Sequence, residues 1–110
     1  MVSNRPKYDL AVVKAVSRSM NIEFRGRKTR LDVLNLDYQL SDVALCLSQL
    51  SLADYKKTIH YEDREPDDEY ISKFTKPGNE HFGPDRLYIK FCLHEDCLIV
   101  ELASFHLTRF

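Results

Sequence analysis

Two runs near the end of this chain, Leu87 to Leu93 and Cys97 to Phe105, constrain its fold more than any other feature. Both are rich in β-branched and aromatic residues, and apolar and polar positions largely alternate, as in strands with one buried face. Separated by only three residues, they predict an antiparallel hairpin. With Glu95 and Asp96 as the turn, Leu93 faces Leu98, Phe91 faces Val100 and Ile89 faces Leu102, which makes one continuous apolar face. Tyr88, Lys90, Cys92, Glu101, Ala103 and Phe105 then share the other face, with Lys90 across from Glu101. In that register His106 falls on the apolar side unless a bulge intervenes around Glu101 to Ala103. Glu-Asp suits a two-residue turn poorly, so a three-residue loop is the alternative.

An apolar sheet face needs a cover, and the upstream sequence supplies helices. Asp9 can cap a first helix, because Leu10, Val13, Val16 and Met20 recur at helical spacing; its polar side presents Lys14 and Arg18. The run from Arg25 to Arg30 reads as a short basic loop or edge strand. Thr29 is the expected cap of a brief helix through Leu31, Val33, Leu34 and Leu36. Ser41 is the expected cap of a third helix, carrying Val43, Ala44, Leu47 and Leu50. Ser51 with Asp54 resembles a capping box opening one more turn. Beyond Asp54 the pattern predicts a strand from Tyr55 to Glu62, then an exposed loop to Glu69 containing six acids and Pro66. A short strand from Tyr70 to Phe74 and a turn-rich stretch with Pro77-Gly78 and Gly83-Pro84 lead into the hairpin. Helices first and strands afterwards give an α+β class: an antiparallel sheet against N-terminal helices, in a single domain over residues 1–110.

At 44% hydrophobic and 30% charged residues the chain can build a core, which excludes a disordered tail. No apolar stretch approaches the ~20 residues that span a bilayer, and no secretory h-region is seen, so no membrane association is expected. Cys46, Cys92 and Cys97 form no CxxC, and the expectation is reduced thiols in a cytoplasm. The net charge of −1 argues against a simple basic nucleic-acid binder. Its distribution is polarised, however. Residues 1–30 carry eight Lys/Arg against two acids, and residues 31–72 carry ten acids against three Lys/Arg. Such a surface could draw RNA to one side and a basic partner to the other, or simply solvate both ends.

Lys, Tyr and His spaced along short strands suggest a small ribonuclease. Metal-independent RNA cleavage needs a base for the ribose 2′-OH, positive charge for the phosphorane and an acid for the leaving 5′-oxygen. Lys57, Tyr88, Lys90 and His106 are of the right types. Histidine titrates near pH ~6.5 and suits such work, although a lone strand histidine is more often structural. His60 carries the same reading less strongly, and His81 belongs to a loop. Tyr55 and Tyr61 could stack bases or fill the core. Cys92, His94 and Cys97 flank one turn without the paired spacing of a tetrahedral zinc site, and the acidic run reads as solvated, so no metal is expected.

In order and spacing, several segments resemble one family. They are Arg27-Lys28-Thr29-Arg30 leading to Leu34-Asn35, then Leu50-Ser51, Asp54-Tyr55-Lys56-Lys57-Thr58 and Tyr61-Glu62-Asp63. Leu87-Tyr88-Ile89-Lys90, Asp96-Cys97-Leu98-Ile99-Val100 and Ser104-Phe105 complete the set. Over Leu10 to His106 the chain resembles the motility quorum-sensing regulator (MqsR) toxins of type II toxin–antitoxin systems. The resemblance implies a curved antiparallel sheet of the RelE-type microbial ribonucleases. It also implies cofactor-free, sequence-preferring cleavage of mRNA and neutralisation by a cognate antitoxin protein. Carried over by position, Lys57, Tyr88 and His106 are the expected catalytic residues. Lys90, Arg25, Arg27, Lys28, Arg30, Tyr61 and His60 are the expected RNA contacts. The alternative is an inactive relative that only binds RNA or the antitoxin.

Overall fold

Asp9 begins the first helix as its spacing predicts. Its carboxylate accepts the Ala11 amide at 2.9 Å and caps α1, Leu10–Arg18. The computed structural model describes residues 5–108. Strand β1, Ile22–Phe24, follows, then α2, Gly26–Asn35, and α3, Leu40–Ser48. A 3₁₀ turn at Leu52–Asp54 leads into β2, Tyr55–Ile59, and β3, Asp67–Phe74. A second 3₁₀ turn at Glu80–Phe82 precedes β4, Asp85–His94, and β5, Ile99–Leu107. The described residues form a small α+β domain with three helices and one five-stranded sheet, ordered β1-β5-β4-β3-β2. No helix among the described residues is long and apolar enough to cross a membrane.

The sheet is mixed rather than wholly antiparallel, because β1 pairs parallel with β5 while the other three pairings are antiparallel. A strand of three residues followed directly by a helix left little periodicity to read. Gly26 makes that junction possible: at φ 81° it turns the chain from β1 straight into α2. The basic stretch is therefore the first turns of a helix. Thr29 lies inside α2 rather than capping it, buried, with its hydroxyl donating to the Ala103 carbonyl at 2.7 Å. Helix α3 begins after Gln39 with Asp42 completing a capping box, two residues before the expected Ser41 cap. The Ser51–Asp54 box forms as expected.

The hairpin keeps its faces and loses its register. His94 pairs with Ile99, so residues 95–98 form a four-residue loop, with Leu98 at φ 53°. A two-residue type I′ turn requires positive φ at both central residues, and Glu95 and Asp96 resist that. Leu93 therefore faces Val100, and Phe91 faces Leu102. A shift of two leaves the side chains up to Leu102 on their own faces. The bulge then enters at Ala103: Phe91 pairs with Leu102 but Lys90 with Ser104. Beyond it the alternation reverses, sending Phe105 into the core and His106 to the face of Tyr88. Lys90 accordingly lies across from Ser104, and Glu101 across from Cys92.

Helices α1 and α3 supply Val13, Val16, Val43, Ala44 and Leu47 to the core, against Ile89, Phe91, Val100, Leu102 and Phe105 of the sheet. Tyr70 stacks on Phe91 at 5.5 Å. The other sheet face carries the polar side chains.

The acidic stretch holds the largest surprise. Residues 67–69 are not loop but the start of β3, and all three are buried. Asp68 turns toward the core side and accepts the Lys7 and Tyr8 amides, each at 2.9 Å, and the Thr58 hydroxyl. Asp67 and Glu69 point to the opposite face.

Candidate functional site

A second bulge decides which lysine joins the polar face. Tyr55 pairs with Tyr70 and Lys57 with Glu69, so Lys56 is the extra residue of β2. Tyr55 thus packs on the core side, while Lys57 stands on the face of Tyr88. Pairing then lines up a row across four strands: Lys57, Glu69, Lys90 and Ser104. In the next row, Ile71, Tyr88 and His106 are neighbours. The Tyr88 and His106 rings stack at 5.2 Å.

Tyr88 donates its hydroxyl to Glu69 Oε2 at 2.5 Å, joining the two rows. Burial and the Glu69 carboxylate push the Tyr88 phenol well above its ordinary value, so it is a proton donor near neutrality. Glu69 is only 8% exposed and is held by that bond. Neither Lys57 nor Lys90 is ion-paired among the described residues, which leaves both ammonium groups able to meet an anion. His106 sits beside Leu107 O at 2.8 Å through Nδ1. A carbonyl can only accept, so Nδ1 carries a proton and Nε2 is the ring nitrogen left to face a substrate. Lys28, Asp32 and Asn35 of α2, with Leu36 just after it, line a recess with His106.

A second polar cluster occupies the His94 end of the same face. Arg25 grips Asp67 with both Nη groups at 2.8 Å and Glu101 through Nε at 2.5 Å. Tyr61 donates to Asp67 at 2.8 Å, and Arg64 reaches Glu101 at 2.8 Å. Burial by itself would raise the Asp67 carboxyl; the Arg25 guanidinium and the Tyr61 hydroxyl outweigh it and hold the group below its ordinary value. The same contest leaves Glu101 at about 2, with Arg25, His94 and Arg64 overcoming its burial. The Tyr61 phenol is pushed up to about 12, first by burial and then by Asp67.

Of the residues expected to act, the structure brings Lys57, Tyr88, Lys90 and His106 onto one face. Tyr61 and Arg25 share that face but are tied into the Asp67 cluster. Arg27, Lys28 and Arg30 are exposed on α2; Lys28 pairs with Asp32 at 2.8 Å, and Arg30 lies over the Phe24 ring. His60 is exposed just beyond β2.

No protein-family model matches the chain, and no curated protein matches it. The geometry of the face therefore carries the functional reading. Sequence reasoning missed Glu69 and Asp67 as members of it. Their only local signal was alternation into Ile71, hidden inside a run of acids that also satisfies the signature of a solvated loop.

Proposed function

We propose that this protein is a metal-independent endoribonuclease, acting on mRNA as the toxin of a toxin–antitoxin pair. The observation that carries the reading is the convergence of Lys57, Glu69, Tyr88, Lys90 and His106 on one face, although they come from four strands. Lys57 and Lys90 hold the scissile phosphate and offset charge in the phosphorane. His106 Nε2 takes the proton of the ribose 2′-OH. Tyr88, kept protonated by its surroundings, turns from Glu69 to donate to the phosphoryl group or the leaving 5′-oxygen, and Glu69 positions it. Arg27, Lys28 and Arg30 lie on α2, whose Lys28 lines the recess beside His106, and take the RNA backbone. Arg25, already gripped by two carboxylates, has no part in that contact. The resemblance to MqsR toxins, and through it to the RelE-type ribonuclease fold, supports this choice over a passive RNA-binding module.

Incubation with a defined single-stranded RNA in EDTA tests the proposal. The expected products end in 2′,3′-cyclic phosphate and 5′-hydroxyl. Binding of that RNA without cleavage by the folded protein, with or without ribosomes, overturns it in favour of an inactive relative.

A further inference from the structure

We propose that Cys92, His94 and Glu101 form a binding site for a zinc-like divalent cation. The three come from adjacent strands. Cys92 and His94 are two residues apart on β4, and therefore share a face, while Glu101 pairs directly with Cys92. One ligand atom from each lies within 4.8 Å of the others. Cys92 Sγ is 3.8 Å from His94 Nε2 and 3.7 Å from Glu101 Oε2, and His94 Nε2 is 3.2 Å from Glu101 Oε1. Tetrahedral zinc, with bonds of ~2.0–2.3 Å, sets its ligand atoms roughly 3.3–3.7 Å apart. Those two Glu101 distances involve different carboxylate oxygens, so a rotation of that side chain, with no backbone movement, completes the edges of such a site. This set differs from the Cys92, His94 and Cys97 grouping excluded by its spacing, because Cys97 is exposed in the loop with Sγ near the His94 carbonyl.

Chemistry selects the ion. A thiolate, an imidazole and one carboxylate suit zinc or cobalt over the hard cations magnesium and calcium, which prefer all-oxygen shells. Thiolate and carboxylate together offset the two charges of the ion. Glu101 also accepts from Arg25 and Arg64, so metal competes with those guanidinium groups for one carboxylate. Arg25 keeps its two bonds to Asp67 when it yields. Arg64 gains freedom to face solvent. Cys92 lies two residues along β4 from Lys90 and four from Tyr88, about 7 and 13 Å, so this site borders the row proposed to cleave RNA but shares no residue with it and does not depend on that reading.

The test uses the reduced full-length protein and cobalt(II) as probe. Expected are a thiolate-to-cobalt charge-transfer band saturating at one ion per chain, its displacement by zinc, and a melting temperature that rises with zinc concentration. Cys92→Ser and His94→Gln should remove the band, whereas Cys97→Ser should keep it. X-ray absorption of the zinc-loaded wild type, which needs no variant, should show one sulfur among nitrogen and oxygen neighbours. A band that survives Cys92→Ser and vanishes in Cys97→Ser, a spectrum without sulfur, or binding only at large metal excess overturns the site.

Discussion

Asp67→Ala destabilises this protein by about 3–5 kcal/mol, the usual result of removing one member of a buried ion pair. That is a large share of the ~5–15 kcal/mol that holds a typical domain folded. Asp67 is fully buried and takes both Nη groups of Arg25 as well as the Tyr61 hydroxyl. Removing the carboxylate strands the guanidinium beside Cys92 with only Glu101 to answer it, and frees Tyr61, which anchors the segment between β2 and β3. The urea midpoint measures the loss. Arg25→Met combined with Asp67→Leu should recover much of it, because the cost lies in the uncompensated charge more than in the pair itself. A midpoint shift worth less than ~1 kcal/mol in Asp67→Ala, the ceiling for an exposed pair, would show that Asp67 is solvated.

Acid provides a second reading of the same contact. The Asp67 carboxyl lies below its ordinary value in the folded chain, so it contributes stability that is fully present above the ordinary carboxylate range. That contribution is lost as pH falls through the range toward the folded value. Asp67→Asn, less stable at neutral pH, should lose less on acidification, and the two stability curves should converge at low pH.

What was legible in the sequence follows from how local each signal is. The Asp9 cap, the Ser51–Asp54 box and the apolar face formed by Ile89, Phe91, Leu93, Val100 and Leu102 rest on local pattern, and they stand in the structure, whereas Leu98 is exposed in the loop and Phe105 is in the core. The register depended on turn geometry, and the absence of glycine or asparagine at residues 95–98 set a longer loop. Both bulges are non-local. Ala103 is the extra residue where Thr29 of α2 crosses β5 and takes its carbonyl, a contact 74 positions apart in the chain. Yet these irregularities decide which side chains the candidate face gathers: one brings His106 round to Tyr88, the other sends Lys57 to the same face. The buried acids were misread for the same reason. Asp67, Asp68 and Glu69 look solvated until Arg25, the amides of Lys7 and Tyr8, and Tyr88 arrive from elsewhere.

On the proposed function, Lys57→Ala is expected to abolish detectable RNA cleavage while leaving stability within ~0.5 kcal/mol, the ordinary range for an exposed surface side chain. No described ion pair is lost, so a fall in activity reports the phosphate contact rather than the fold. Tyr88→Phe behaves differently. The ring keeps its stack on His106, but the hydroxyl that Glu69 accepts is gone. Cleavage should fall about 10²–10⁴-fold, as for loss of a positioned proton donor. Stability should fall by about 1–3 kcal/mol, because a nearly buried carboxylate loses its donor. Glu69→Gln separates positioning from proton transfer: the amide oxygen still accepts the Tyr88 hydroxyl, so it should retain much more activity than Tyr88→Phe. Single-turnover cleavage rates alongside urea midpoints distinguish these outcomes. If Lys57→Ala and Tyr88→Phe both cut RNA at wild-type rates, the active site lies elsewhere on the molecule, and the convergence of these side chains is structural.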